Sequence, residues 1–212
     1  MPKNFTPRSS LLEIEMKFAL SNPERLIETI AKRFGVSFSP PWRERDVYLQ
    51  HPARDFVKSD EALRLRQTKE GLVVTYKGPK QDQMTKQREE IELPLFPAAG
   101  ETLSDTEQAE NRLAQWGTLF HRLGFCPAGE VIKFRRAVSF SYAGFLMTVT
   151  IDHLEELGDF AEIETLAPPP ADGPRAAVMK LASDLNLTEP IRSSYLNMVL
   201  RRRGAAATRD DG

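Results

Sequence analysis

A chain of 212 residues, 41 % hydrophobic and 28 % charged, has the composition of one soluble globular domain. Its net charge of −1 and pI of about 6.4 exclude a general nucleic-acid or anionic-membrane surface, so any anion site must be local. No apolar run approaches the roughly 20 residues of a membrane span, Met1-Pro2-Lys3-Asn4-Phe5-Thr6 lacks the apolar core of a signal peptide, and the single cysteine, Cys126, excludes an internal disulfide and favours a reducing cytoplasm.

Taken in chain order, the first element is Glu13-Ile14-Glu15-Met16-Lys17. A strand sends alternate side chains to opposite faces, so Glu13, Glu15 and Lys17 share one face and Leu12, Ile14, Met16 and Phe18 the other. Asn22-Pro23-Glu24 then supplies a cap, a first-turn proline and an acidic first turn for a helix carrying Leu26, Ile27, Ile30 and Phe34, stopped at Gly35. Further on, Arg64 and Arg66 alternate with Leu63 and Leu65. A turn at Lys69-Glu70-Gly71 leads to Leu72–Lys77, which puts Thr75 and Lys77 on one face. The polar stretch Gly78-Pro79-Lys80-Gln81-Asp82-Gln83 predicts a hairpin into a strand where Arg88, Glu90 and Glu92 oppose Ile91 and Leu93.

Pro94 to Gly100 reads as an internal linker, and a second helix is expected from near Ser104 to Leu123, with Leu113, Trp116, Phe120 and Leu123 on one stripe. Cys126 follows as a half-buried small residue. With only His51, His121 and His153 to accompany it, neither a zinc cluster nor a Cys–His nucleophile pair fits. Lys133 and Arg135 oppose Ile132 and Phe134. Thr148, Thr150 and Asp152 oppose Phe145, Met147, Val149 and Ile151, and Glu162 and Glu164 oppose Ala161 and Ile163. After the stiff Pro168-Pro169-Pro170 a third helix follows Pro174 with Val178, Leu181, Ala182 and Leu185, and the tail 201–212 reads as disordered, its Arg201-Arg202-Arg203 run a solvated helix end.

Seven strands thus carry a charged face and an apolar face, and the helices own apolar stripes that can cover the latter. Packing the charged faces together in a dry interior would cost several kcal/mol per ion, so that face must be wet. An open sheet with one face in water meets that condition, but a closed barrel around a water-filled tunnel also explains why both signs recur at alternate positions. Bases converging from several strands make a polyanion cradle, with arginine offering planar forks to phosphate oxygens. Carboxylates beside it suit hard divalent ions, Mg²⁺ or Mn²⁺, which bind carboxylates together with substrate phosphates.

The motifs Glu13-Ile14-Glu15-Met16-Lys17, Ala62-Leu63-Arg64-Leu65-Arg66, Thr75-Tyr76-Lys77-Gly78-Pro79, Arg88-Glu89-Glu90-Ile91-Glu92, Lys133-Phe134-Arg135-Arg136, Ile151-Asp152 and Phe160-Ala161-Glu162-Ile163-Glu164, in this order, resemble the CYTH superfamily, the triphosphate tunnel metalloenzymes. The resemblance covers about residues 11 to 200 and includes the late Ser194-Tyr195-Leu196. It implies an α+β domain over 1–200: a closed antiparallel eight-stranded β-barrel with helices packed on its outside. By position it implies Glu13, Glu15, Asp152, Glu162 and Glu164 as metal ligands and Lys17, Arg64, Arg66, Lys77, Arg88, Lys133 and Arg135 as phosphate binders, with Lys17, Arg64, Arg66 and Glu15 carrying catalysis. Glu90 and Glu92 are divided between a second metal site and structural ion pairs. Lys180 is expected to be a solvated helix lysine rather than a tunnel residue.

Within the superfamily, the stretch from His51 to Arg66 is most similar to proteins labelled class IV adenylyl cyclase, a label that also covers thiamine triphosphatases and inorganic triphosphatases. The expected activity is metal-dependent hydrolysis of ATP, thiamine triphosphate or tripolyphosphate in the cytoplasm, without nucleic-acid or membrane partners. Cyclisation of ATP is the alternative, with 51–61 as a mouth loop, and a non-catalytic polyphosphate or nucleotide binder is a third reading.

Overall fold

A computed structural model describes residues 11–68, 70–80, 87–96 and 106–210. Eight strands form a closed ring: β1 (Leu12–Leu20), β2 (Trp42–Gln50), β3 (Ala62–Gln67), β4 (Leu72–Lys77), β5 (Arg88–Phe96), β6 (Cys126–Tyr142), β7 (Phe145–Leu154) and β8 (Gly158–Ala167). Around the ring the order is β1-β5-β4-β3-β2-β6-β7-β8, and every neighbouring pair is antiparallel. The joint between β1 and β8 runs from Leu12↔Ala167 to Leu20↔Asp159, whereas β1 meets β5 only at Leu12↔Glu89 and Glu13↔Arg88.

Four helices lie on this ring: α1 (Pro23–Phe34), α2 (Thr106–Arg122), α3 (Asp172–Asp184) and α4 (Tyr195–Asp210). The first has the ends its sequence specifies. The Asn22 side chain accepts from the Arg25 N–H at 3.0 Å, a contact worth about 1 kcal/mol, and Gly35 closes the helix at φ 67°, where a Cβ would be strained. Leu26 and Ile30 of α1 and Val178 and Leu181 of α3 pack on the outward residues Ile14, Met16, Phe18, Met147, Val149 and Ile163. Leu113 of α2 covers Leu49, Leu65 and Leu72, with Trp116 and Phe120 beside it. Each such side chain contributes about 1.5–3 kcal/mol by leaving water.

The eighth strand is β2, where the residue pattern alone had shown none. Arg43 and Arg45 turn outward while Glu44 and Asp46 turn inward, so charge on both faces hides the alternation. The last described element reaches into the tail. Helix α4 continues through 201–210 because Tyr195 and Val199 anchor its first turns among Val131, Leu154 and Phe160, and the Ala-rich stretch that follows favours helix. Arg201, Arg202 and Arg203 are exposed on it.

Pro94-Leu95-Phe96, read as linker, ends β5, which takes a register shift opposite Leu72 and Val73. Leu123 lies beyond α2 and is exposed, as is Cys126. The helices do not cover the whole outside: Ile91, Leu93, Ile132 and Phe134 face outward and remain exposed. Lys69, the 81–83 part of the hairpin, the 97–100 part of the linker and Ser104 lie outside the described residues. Among those described, no helix is long and apolar enough to cross a membrane.

Candidate functional site

The inward faces of the ring meet around a cavity of about 510 Å³. Alternation brings the charged residues there, since in a closed antiparallel ring every second side chain must point in. Of the residues nominated from sequence, Glu13, Glu15, Lys17, Arg64, Arg66, Lys77, Arg88, Lys133, Arg135, Glu162 and Glu164 all line this cavity. Asp152 does not. It is fully buried behind the wall, where its two oxygens accept from Arg135 Nε and Nη2, each at 2.6 Å, and Oδ2 also accepts from the Tyr195 hydroxyl at 3.0 Å.

These charges are not left bare. Lys77 Nζ donates to both Glu13 oxygens at 2.7 Å and lies 3.1 Å from Glu90; Lys17 lies 3.2 Å from Glu162; Arg135 reaches Glu162 at 2.6 Å. Pairing therefore joins hydration in keeping the interior tolerable. Glu90 belongs to this pairing, its carboxyl pushed up by burial but held below its usual value by Lys77 and Arg64. Glu92 is half exposed, accepts from the Thr75 hydroxyl at 3.0 Å and lies 3.9 Å from Arg64.

Two acids on β2 went unread in the sequence and complete the wall. Asp46 accepts from Arg66 Nε and Nη2, each at 2.7 Å, and from Arg64 at 3.4 Å; Glu44 lies 3.3 Å from both Arg66 and Lys133. Neither lines the cavity, so they act from behind, fixing the forks that do. Burial raises the Glu44 pKa, but Lys133, Arg135 and Arg66 outweigh it and bring the value down to about 2. Asp46 is held far below the usual carboxylate range in the same way, with Arg66 and Arg64 overcoming the burial. The available signal was the inward spacing Glu44-x-Asp46-x-Tyr48.

The β1–β8 side behaves in the opposite sense. Glu15 stands directly across from Glu164 in the register, with Glu13 and Glu162 on the same strands and the same face. Burial and the neighbouring Glu13 push the Glu164 carboxyl up, Arg135 opposes them, Glu162 and Glu15 add to the rise, and the value reaches about 8. A cluster of oxygen donors that resists its own negative charge fits a hard divalent cation. Its present geometry is turned on the tunnel's own bases: among the described residues no three Asp, Glu, His or Cys side chains are gathered as a metal set.

The first turn of α4 reaches one end of the cavity. Tyr195 inserts beside Phe160, with Lys17 Nζ 3.6 Å from its ring centroid. The approach to this end is held by the segment before the helix, where the Ile191 N–H donates to the Lys17 carbonyl at 2.7 Å. Gly129 of β6 makes room for the helix: a Cβ there would sit 2.6 Å from Leu196 Cδ1. Lys180 lies outside the ring, bonded to the Tyr142 hydroxyl at 2.9 Å and to Asp184 at 3.0 Å.

Two Nε donors, those of Arg64 and Arg88, are buried and make no hydrogen bond among the described residues, although Glu13 lies 3.7 Å from the second of them. Buried guanidinium N–H groups without acceptors are costly, and both residues border the cavity.

An antiparallel ring of eight strands, closed around convergent bases and acids, defines a class of tunnel-shaped proteins. The model of the CYTH domain matches residues 11–194, and the chain belongs to the CYTH domain family. It is 30 % identical over 192 residues to the Methanocaldococcus jannaschii protein named "Putative adenylate cyclase", covering 89 % of this chain and 98 % of that one. Among solved structures it is similar to the PH1819 protein of Pyrococcus horikoshii OT3, with a TM-score of 0.70 and 32 % identity over 90 % of this chain and 99 % of the other. The fold is shared as well with the Hippeastrum protein HpAC1, at a TM-score of 0.58 and 15 % identity over 92 % and 96 % of the two chains.

Proposed function

We propose that this chain is a divalent-metal-dependent enzyme that cleaves a triphosphate held in the tunnel, by hydrolysis. The observation that carries the reading is the pair of buried Nε donors of Arg64 and Arg88, which make no hydrogen bond among the described residues although Glu13 lies 3.7 Å from that of Arg88, on a cavity also lined by Lys17, Arg66, Lys77, Lys133 and Arg135. Those donors ask for anionic oxygens from outside the protein, and linked phosphates supply several at the required spread.

Charge balance argues for a metal alongside. Among the described residues the buried bases Lys17, Arg64, Arg66, Lys77, Arg88, Lys133 and Arg135 stand against the buried acids Glu13, Glu15, Glu44, Asp46, Asp152 and Glu162, with Glu90 and Glu164 also on the wall. A bare triphosphate would enter a wall with little net positive charge to spare. Mg²⁺ or Mn²⁺ held by Glu13, Glu15, Glu162 and Glu164 would offset the phosphate charge and supply Lewis-acid activation of the attacking water. Asp152 then acts through Arg135, which it shares with Glu162. Lys17, Arg64 and Arg66 hold the phosphate oxygens in place for in-line attack and stabilise the charge that develops as the P–O bond breaks.

HpAC1 is described as a "putative adenylyl cyclase" with a dominant triphosphatase activity, which agrees with hydrolysis. The second reading, cyclisation of ATP to cyclic AMP and pyrophosphate, is favoured by the name of the M. jannaschii relative. Incubating the protein with ATP and Mn²⁺ and separating the products decides between them. Hydrolysis gives ADP or AMP with phosphate or pyrophosphate; cyclic AMP as the dominant product would overturn it.

A further inference from the structure

One hydroxyl on the inner face of the ring has nothing to bond. Thr150 of β7 shares that face with Thr148 and Asp152 by alternation, is 2 % exposed, and its Oγ1 has no hydrogen-bond partner among the described residues. The other hydroxyls of β7 and β8 are spent: Thr148 shares a hydrogen bond with Ser139 at 3.1 Å, and Thr165 donates to the Leu146 carbonyl at 2.8 Å. A buried hydroxyl without a partner is destabilising, whereas valine has the same shape and no such penalty. The Thr150 hydroxyl therefore stabilises nothing that the fold shows.

Directly across the ladder from Thr150 stands Glu162, with Ala137 on the other side. The opposite flank of the ring shows what such a pair can do. Thr75 and Glu92 are register partners in the same way, and there the threonine hydroxyl donates to the carboxylate at 3.0 Å. A threonine facing a glutamate on the neighbouring antiparallel strand thus reaches it. At Thr150 the bond is unmade because Glu162 is drawn to two bases: it accepts from Arg135 Nη2 at 2.6 Å and lies 3.2 Å from Lys17 Nζ.

The three groups around Glu162 differ in how they tolerate a cation. A lysine or arginine on a carboxylate that also holds a divalent ion meets like charge at close range, whereas a hydroxyl is neutral and donates without that cost. We propose that Thr150 is a positioning residue for the metal, its hydroxyl orienting Glu162 when that carboxylate turns from Arg135 and Lys17 to a divalent cation held with Glu13, Glu15 and Glu164. This rests on the metal-dependent reading above and adds the group that fixes one of the ligands.

Thr150→Val removes the donor and keeps the shape, and Thr150→Ser keeps the donor. Calorimetric titration with Mn²⁺, with urea melts in EDTA alongside, tests the role. In EDTA the valine variant should match or exceed the wild-type urea midpoint, since no bond is lost. Its Mn²⁺ affinity should fall about tenfold, the low end for a group that orients a metal ligand, and serine should restore it. A valine variant that binds Mn²⁺ as tightly as wild type would overturn the positioning role and leave the metal site standing. So would a valine variant destabilised in EDTA, which would make the hydroxyl structural. A wild type that binds no Mn²⁺ would overturn the metal reading and the positioning role together.

Discussion

The two flanks of the tunnel use the same residue types to opposite ends. On the β2–β3 side, Glu44 and Asp46 stand behind the wall and are consumed by Arg64, Arg66, Lys133 and Arg135, which brings Glu44 down to about 2. On the β1–β8 side burial pushes the Glu164 carboxyl up to about 8, with Glu13, Glu162 and Glu15 adding to the rise against the opposing Arg135. An acid that lowers its own pKa by pairing is scaffold. An acid whose pKa is raised by burial, with like charges beside it, resists ionising until a cation lies next to it. The chemistry of a carboxylate in this ring is decided by which strand faces it.

The largest expected effect follows from removing a scaffold acid. Asp46→Ala strips the buried Arg66 fork of its two-point partner, leaving it Glu44 at 3.3 Å, and should cost about 3 kcal/mol of folding stability, read as a lower urea midpoint. If Asp46→Ala were as stable as wild type, the division between the flanks would collapse.

The reverse pattern is expected at Glu15. Its loss should reduce metal-dependent turnover at least about a hundredfold, beyond the range for groups that merely orient a ligand, while the melting temperature holds or rises. A large drop in stability with turnover retained would place Glu15 with the scaffold acids.

The pH dependence separates the flanks by sign. For Glu164 the folded value of about 8 lies above the ordinary 4.5, so its stabilising effect is full below 4.5 and is lost as pH rises through 8. For Glu44 the folded value of about 2 lies below 4.5, so its contribution is present above 4.5 and is lost as pH falls through 2. Metal-free protein should therefore lose stability between about pH 5 and about pH 8, and Glu164→Gln should flatten that limb in urea melts. An unchanged slope in the variant would remove Glu164 as its source. The smallest effect belongs to Lys180, whose replacement by alanine should leave turnover intact and stability within about 0.5 kcal/mol, as for an ordinary surface change.

Legibility in the sequence followed the same division. Strands with an apolar face declared themselves: Ile14 and Met16 opposite Glu13 and Glu15, Leu63 and Leu65 opposite Arg64 and Arg66. Eleven of the twelve nominated site residues accordingly line one cavity. Strand β2 was hidden because Arg43 and Arg45 charge its outer face too, one of them reaching Glu130 at 2.7 Å. Asp152 shares its alternation with the cavity residues, but the Arg135 fork and Tyr195 draw it behind the wall, a tertiary effect that no spacing encodes. Tyr195 itself was legible only as part of a familiar motif. Its position depends on α4 docking across the ring, beside Gly129 far back in the chain.

The joint between β1 and β8 sets the order in which this protein can be built. The strand that begins the ring finds its long partnership only in residues 158–167, while its contact with β5 is two residue pairs. Contacts of such sequence separation form slowly, since the loop entropy must be overcome before they stabilise anything. A growing chain can therefore assemble β2 to β5, and later β6 with β7, while the charged cavity still lacks a wall. The acids Glu15 and Glu164 meet for the first time at the closing step, so the carboxylates that face each other across this joint come together among the last contacts of the ring.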